Sequence, residues 1–407
     1  MRILVISNRY PGLPFDGETL RIFHYARHLG RRHELDLVCL GDDTAPNPEI
    51  EALFKHIRRF PRPTVKSPNN FLSRLASGVD PRTLFPRSPE MKAYLEEIAS
   101  GDHYDLIWDA GCYMLSELVA IRRSLPLLAD QIDDSFLTLL RSLRVANSLY
   151  QKLWYAKQIG LQWLFQFWYL RNAEAILFVS EKDAASFRRF LPFSKAHVIE
   201  NGVDENFFSP ETLPNPGVTD AMVDIVFEGS MFFAPNADAA RYFVEAIFPL
   251  IRQAKPDVRF TIVGREPTAE VRALAGDGVI VTGSVEDVRP YLERASVFVC
   301  PMRSGAGIKN KILQAWAMGK AIVSTTAGVG SLKTAEGQNI LIRDTPEEFA
   351  AAVVDLLRDP ARAARLGEAG RRTIEAHYTW AAKTGELETL MQQIVDQRRG
   401  LDRRTVA

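Results

Sequence analysis

The feature that most constrains this chain is a repeated alternation of short apolar runs with longer stretches of helical spacing. Runs of that length, predominantly apolar, suit strands buried on both faces, and intervening helices suit crossovers between parallel neighbours. In the first half the runs are RILVIS (2–7), ELDLVCL (34–40), YDLIWD (104–109), LPLLAD (125–130), AILFVS (175–180) and HVIE (197–200). A Pro-rich passage, SPETLPNPG (209–217), precedes a second series: VDIVFEG (223–229), RFTIVG (259–264), VIVTG (279–283), VFVCP (297–301), AIVST (321–325) and NILI (339–342).

At 407 residues the chain exceeds what one hydrophobic core ordinarily serves. The expectation is an α/β protein of two doubly wound, Rossmann-like parallel-sheet domains facing a cleft, 1–208 and 209–377. A last helix within 378–407, with Leu387, Leu390, Met391 and Ile394 at helical spacing, is taken to cross back to the first domain. Thr345 and Glu348 around Pro346 match a capping box.

Lys plus Arg and Asp plus Glu both number 50, so no global charge argues for a nucleic-acid partner. Any anion site must be local. Cys39, Cys112 and Cys300 show no paired spacing and read as buried thiols in a reducing compartment. The apolar part of MRILVISNRYPG is too short for a signal-peptide core, so it reads as a strand and the protein as cytoplasmic. No uninterrupted apolar window has the length of a spanning helix.

The segment LYQKLWYAKQIGLQWLFQFWYL (149–170) differs in character. One reading, the favoured one, is a long helix buried under the first sheet. The other is a surface helix at the inner face of the cell membrane or on a lipid-linked ligand, with aromatic rings at the interface and Lys152 and Lys157 near headgroups.

The stretch RSGAGIKNKILQAWAMGK (303–320) follows the run VFVCP, where a ligand belongs in an open α/β sheet. It reads as a small-residue loop entering a helix whose first turn holds two lysines, although the helix dipole disfavours cations there. A phosphate would resolve the conflict: backbone N–H groups would approach it, and Arg303, Lys309 and Lys311 would add charge-assisted hydrogen bonds. Solvated lysines are the plain alternative.

With these motifs in hand, the chain resembles the retaining two-domain (GT-B) glycosyltransferases of family 4, and within them the sugar transferases associated with exopolysaccharide export. The resemblance rests on YPGLPFDGETLR (10–21), VSEKD (179–183), ENGVDENFFSP (200–210), GSMFFAPNADA (229–239) and PMRSGAGIKNKILQAWAMGKAIVSTTAG (301–328), which stand in the family's order. It implies a nucleoside-diphosphate sugar donor bound mainly by the second domain, and a glycan or lipid-linked acceptor. The nucleobase would lie near Gly283, Ser284 and Val285. The diphosphate would meet Arg303, Lys309, Lys311 and the backbone of Gly305, Ala306 and Gly307, with Ser230 contributing from the second domain's first loop. Ribose would be held at Gln314, and Gly17 would press against the donor sugar.

Two departures accompany it. Ala306 and Gln314 stand where many relatives carry glutamates, and the stretch 229–240 lacks the usual basic pair, leaving Arg303 and Lys309 to balance the leaving diphosphate. The usual first-domain histidine is absent, with Asp109 the nearest polar residue at a strand end. No DxD motif occurs, Asp133 and Asp134 read as strand-end or capping residues, and neither metal nor other cofactor is expected. A catalytically degenerate nucleotide-binding or scaffold subunit of a polysaccharide assembly stays open, as does a nucleotide-sugar epimerase. A dehydrogenase fails because SNRYPGLPFDG (7–17) lacks GxGxxG spacing.

Overall fold

A computed structural model describes residues 1–12, 17–41, 45–62, 88–99, 101, 103–111, 118, 125–132, 134–146, 148–171, 173–212, 225–304 and 309–406. The chain divides into two units: Met1–Glu200 with Thr384–Ala407, and Asn201–Lys383.

The first unit is built on seven parallel strands in the order β3-β2-β1-β4-β5-β6-β7. They are β1 (Arg2–Ser7), β2 (Glu34–Leu40), β3 (His56–Phe60), β4 (Leu106–Ala110), β5 (Leu127–Ile132), β6 (Ala175–Phe178) and β7 (Ala196–Val198). Ile3, Leu4, Val5 and Ile6 of the interior strand β1 have no exposure, as a strand covered on both faces requires. Strand β3 was not among the sequence runs. It reads HIRRF and pairs only with β2, so as an edge strand it needs no continuous apolar run.

Helix α1 (Gly17–Leu29) lies on this sheet, where Tyr25 meets Trp108 of β4 edge to face at 5.8 Å. Helix α2 (Ser135–Val145) starts at Asp134, whose carboxylate accepts from the Phe136 N–H at 2.9 Å. That confirms Asp134 as a cap; Asp133 and Cys112 lie outside the described residues. VSEKD forms another helix start, where Ser180 accepts from the Asp183 N–H at 3.2 Å.

Helix α3 (Leu149–Leu170) corrects the favoured reading of the aromatic segment. Among its described side chains the buried ones are at the carboxyl end, Gln166, Tyr169 and Leu170, whereas Leu149 and Tyr150 are 74% and 78% exposed. Length explains it. Its 22 residues span about 33 Å, and strands of three to seven residues cover only about 10 to 23 Å.

The second unit has six parallel strands in the order β10-β9-β8-β11-β12-β13. They are β8 (Ile225–Glu228), β9 (Phe260–Val263), β10 (Val279–Gly283), β11 (Val297–Cys300), β12 (Ala321–Ser324) and β13 (Leu341–Ile342). Helix α4 (Ala234–Tyr242) follows β8 and runs into a π-helical turn, Phe243–Ile247, whose Phe243 ring packs tilted against Phe260 at 4.3 Å. Helix α5 (Asn310–Ala317) follows β11, and α6 (Pro346–Arg358) opens on the Thr345 cap, with Glu348 N–H donating to Thr345 Oγ1 at 3.3 Å.

The last helix, α7 (Trp380–Val406), belongs to the first unit from Thr384 onward. Leu387, Met391 and Ile394 are buried, Glu388 takes Arg32 at 2.6 Å and His33 at 2.8 Å, and Arg399 takes Asp105 at 2.6 Å. Among the described residues no helix is long and apolar enough to cross a membrane. Cys39 and Cys300 are free and buried, and burial pushes the Cys39 thiol up to about 12.

Candidate functional site

In the second sheet β9 and β10 lie to one side of β8, and β11, β12 and β13 to the other. The chain thus reverses direction between β8 and β11, and a crevice opens beyond the carboxyl ends of those two strands. From β8 the crevice receives Glu228, Gly229 and Ser230; from β11 it receives Pro301, Met302 and Arg303.

The backbone is tight there. Gly229 has φ +154°, and a Cβ on it would lie 2.8 Å from both Lys311 Nζ and Asn236 Nδ2. Gly264, just beyond β9, approaches so closely that a Cβ would sit 1.7 Å from the Gly229 carbonyl oxygen. Neither position tolerates a side chain without rearrangement.

Lys311 is the cation that this geometry brings to the switch point. From the first turn of α5 its ammonium donates to Asn236 Oδ1 at 2.8 Å and stands 4.4 Å over the buried Phe227 ring. Asn236, in the first turn of α4, donates onward to the Ser230 carbonyl at 3.0 Å. Burial pulls the Lys311 pKa below its ordinary value, against the opposing charge of Glu228, and the same burial raises the Glu228 carboxyl. An anion entering the crevice would favour charged Lys311.

Two sequence expectations change here. Lys309 is not in the first helical turn; it is the N-cap, at φ −93° and ψ 79°, and its side chain is buried. Only Lys311 sits where the dipole disfavours a cation. Arg303 is 49% exposed on its side chain and pairs with Asp238 of α4, Nε to Oδ2 at 3.1 Å and Nη2 to Oδ1, while lying 4.6 Å over Tyr242. The Arg303 pair holds the Asp238 carboxyl below its usual range. Reaching a phosphate would require Arg303 to exchange that partner.

Gln314 lies one turn beyond Lys311 on the same face of α5, half-buried and without a side-chain hydrogen bond among the described residues. Ser230 Oγ accepts from Arg265 Nε at 3.1 Å, which adds a cation that sequence reading missed. Gly283 ends β10 and Ser284 and Val285 follow it, two strands from β8 and so about 10 Å away on the same edge. Gly305, Ala306 and Gly307 lie outside the described residues.

In the first unit Gly17 opens α1, and Asp109 on β4 has no exposure, so its carboxylate reaches no solvent. The motif helix instead contributes Arg21, whose Nε reaches Asp130 Oδ2 at 2.7 Å with both side chains buried. Two residues beyond Asp130, Ile132 holds φ 66°, an uncommon conformation for a β-branched residue. Among the described residues no group of three or more His, Cys, Asp or Glu is placed to hold a metal.

Comparison with known proteins bears on both units. A model described as Glycosyltransferase Family 4 matches residues 16–207, and one described as Glycosyl transferases group 1 matches 223–359. Together they take in most of the chain, in order. The chain belongs to glycosyltransferase family 4. The alpha-maltose-1-phosphate synthase of Mycolicibacterium smegmatis is 24% identical over 414 aligned residues, spanning 94% of this glycosyltransferase and 96% of the relative. For two other curated relatives, from Klebsiella pneumoniae and Corynebacterium glutamicum, the match spans only 36% and 55% of their length. Among solved structures, sucrose-phosphate synthase from Thermosynechococcus elongatus superposes with TM-score 0.65 at 19% identity, covering 97% of this chain and 99% of that one. Anabaena HepE in complex with UDP does so with TM-score 0.65 at 14% identity, covering 97% and 100%. The fold of this family-4 chain is therefore GT-B.

Asn236, Asp238 and Arg265 are the site residues that the sequence reading passed over. GSMFFAPNADA was singled out for its lack of a basic residue. Its polar residues matter because Asn236 and Asp238, two apart at the start of α4, each hold a cation delivered from the β11–α5 segment.

Proposed function

We propose that this glycosyltransferase draws its sugar from a nucleoside-diphosphate sugar and transfers it with retention to a glycan or lipid-linked acceptor in cell-surface glycan synthesis. The diphosphate occupies the crevice between β8 and β11, the ribose faces Gln314, and the base lies toward Gly283, Ser284 and Val285. The observation that carries this reading is Lys311, held by Asn236 so close to Gly229 that the two side chains leave no room for a Cβ there.

Lys311 also accounts for the departure in the β8 loop. The loop has no basic residue, and the second unit supplies one from α5 instead. Leaving-group charge is then stabilised by Lys311, by Lys309 at the helix entrance, and by Arg303 once it exchanges Asp238 for phosphate. In a same-face mechanism the departing diphosphate helps to deprotonate the acceptor, so stabilising its charge is the main electrostatic task. HepE structures with UDP and with UDP-glucose make UDP-glucose the first donor to try, and the Klebsiella relative is described as encoded in a cps region.

Calorimetric titration with UDP, GDP, ADP and TDP, each beside its nucleoside, tests the reading. One diphosphate should bind selectively. Lys311→Ala should weaken it about tenfold to a hundredfold, as loss of a charge-assisted hydrogen bond implies, while nucleoside binding holds. Equal losses for both ligands would remove Lys311 from the phosphate site. A second reading, a binding subunit without turnover, is favoured by the Arg303–Asp238 pair and by Gln314 in place of a carboxylate. Diphosphate binding without donor turnover across an acceptor panel would select it.

A further inference from the structure

We propose that the exposed part of α3 docks on an anionic lipid bilayer. The inference is independent of the donor site.

Leu149, Tyr150, Leu153 and Trp154 are 74%, 78%, 63% and 45% exposed, and their spacing places them on one side of the helix. Trp163 is exposed at 39% farther along, where it stacks on Phe167 at 5.1 Å, and Phe167 meets the exposed Phe193 edge to face at 5.5 Å. Scattered apolar residues on a surface need no explanation, but a run of large ones along one helix does. These residues fold with α2 as a pair of helices carried by the first unit; the two helices pack against each other.

Charge selects the occupant. From residue 135 through residue 173 the chain has no Asp or Glu, while Arg141, Arg144, Lys152, Lys157 and Arg171 fall within it. Such a stretch is exceptional in a chain with equal numbers of acidic and basic residues overall, 50 and 50. Lys152 lies among the exposed apolar residues, so a basic group and aromatic rings are offered together. That combination suits the headgroup region of an anionic bilayer, where rings sit at the acyl boundary and lysines meet lipid phosphate. A protein partner would be selected by shape and by paired polar groups, and residues 135–173 offer no acidic side chain to pair with its cations. The helix does not qualify as a membrane span, so it lies on the surface.

Flotation of the full chain with vesicles distinguishes the outcomes. Phosphatidylcholine vesicles containing phosphatidylglycerol should carry the protein, phosphatidylcholine alone should carry little, and added salt should weaken binding. Leu149→Ser/Leu153→Ser/Trp154→Ser should lower partitioning about tenfold or more, and Lys152→Glu/Lys157→Glu should abolish the preference for phosphatidylglycerol. An unchanged far-ultraviolet circular dichroism spectrum and diphosphate affinity in both variants would show that folding is intact. No flotation, or equal flotation on both vesicle types, would overturn the proposal. So would a mass that doubles with concentration and reverts in the triple variant, because the face would then close a dimer.

Discussion

At the scale of the residue, Lys311 shows how a side chain can be both structural and poised. Its ammonium is held by Asn236 and lies over Phe227, and burial lowers its pKa from 10.5. A lowered folded value means that the unfolded chain binds more protons in the window between the folded pKa and 10.5, so this group costs stability at lower pH and the cost is relieved as pH rises. Binding runs the opposite way. A diphosphate favours charged Lys311, so affinity should be full below the lowered pKa and fall as pH rises through it, beginning below 10.5. Titrating the diphosphate across this alkaline window checks the sign. Lys311→Arg, whose guanidinium does not deprotonate there, should flatten the profile, and a wild-type profile already flat would dissociate Lys311 from the ligand. The sequence pointed to this lysine through the helix dipole, yet it could not separate Lys311 in the first turn from Lys309 at the cap. A one-residue shift in helix start, which depends on local dihedral angles, decides which of them meets the crevice.

At the scale of the element, strands buried on both faces were legible because burial on both faces selects mostly apolar residues, and β1 and β2 begin and end where the runs do. The edge strand β3 escaped because half-exposed HIRRF carries no such run, and α3 was misplaced because composition alone does not say which parts of an aromatic helix are covered. Pairs between elements were not legible at all. Arg21 of α1 and Asp130 of β5 are far apart in sequence, and only the crossover brings them to 2.7 Å. A buried pair of this kind contributes mainly through what its loss leaves behind. Asp130→Ala should strand the Arg21 charge and cost about 3–5 kcal/mol, whereas Arg21→Met with Asp130→Leu should recover most of that loss. Thermal melts of the two variants compare them. A single variant as stable as the double would show that Arg21 is held by its other contacts.

At the scale of the whole molecule, the division of the chain makes a prediction that neither a residue nor an element could. The second unit, Asn201–Lys383, is continuous and contains every residue assigned to the diphosphate, whereas the first unit is completed only by Thr384–Ala407. Within that segment Leu387, Met391, Ile394 and Val395 are buried, and each buried side chain of this size is worth about 1.5–3 kcal/mol. Their sum is comparable to the whole stability of a domain, about 5–15 kcal/mol, so a chain ending at Lys383 should lose the cooperative folding of its first unit. Its second unit should fold and still bind the nucleoside diphosphate, because Lys311, Asn236, Gly229 and Arg303 are all retained. A melt of the truncated chain should then show one transition, raised by diphosphate by about 2.7 kcal/mol at a hundredfold excess over Kd. Loss of binding together with a preserved ligand-free transition would place the decisive diphosphate contacts outside the second unit, and the crevice between β8 and β11 would not be a sufficient site.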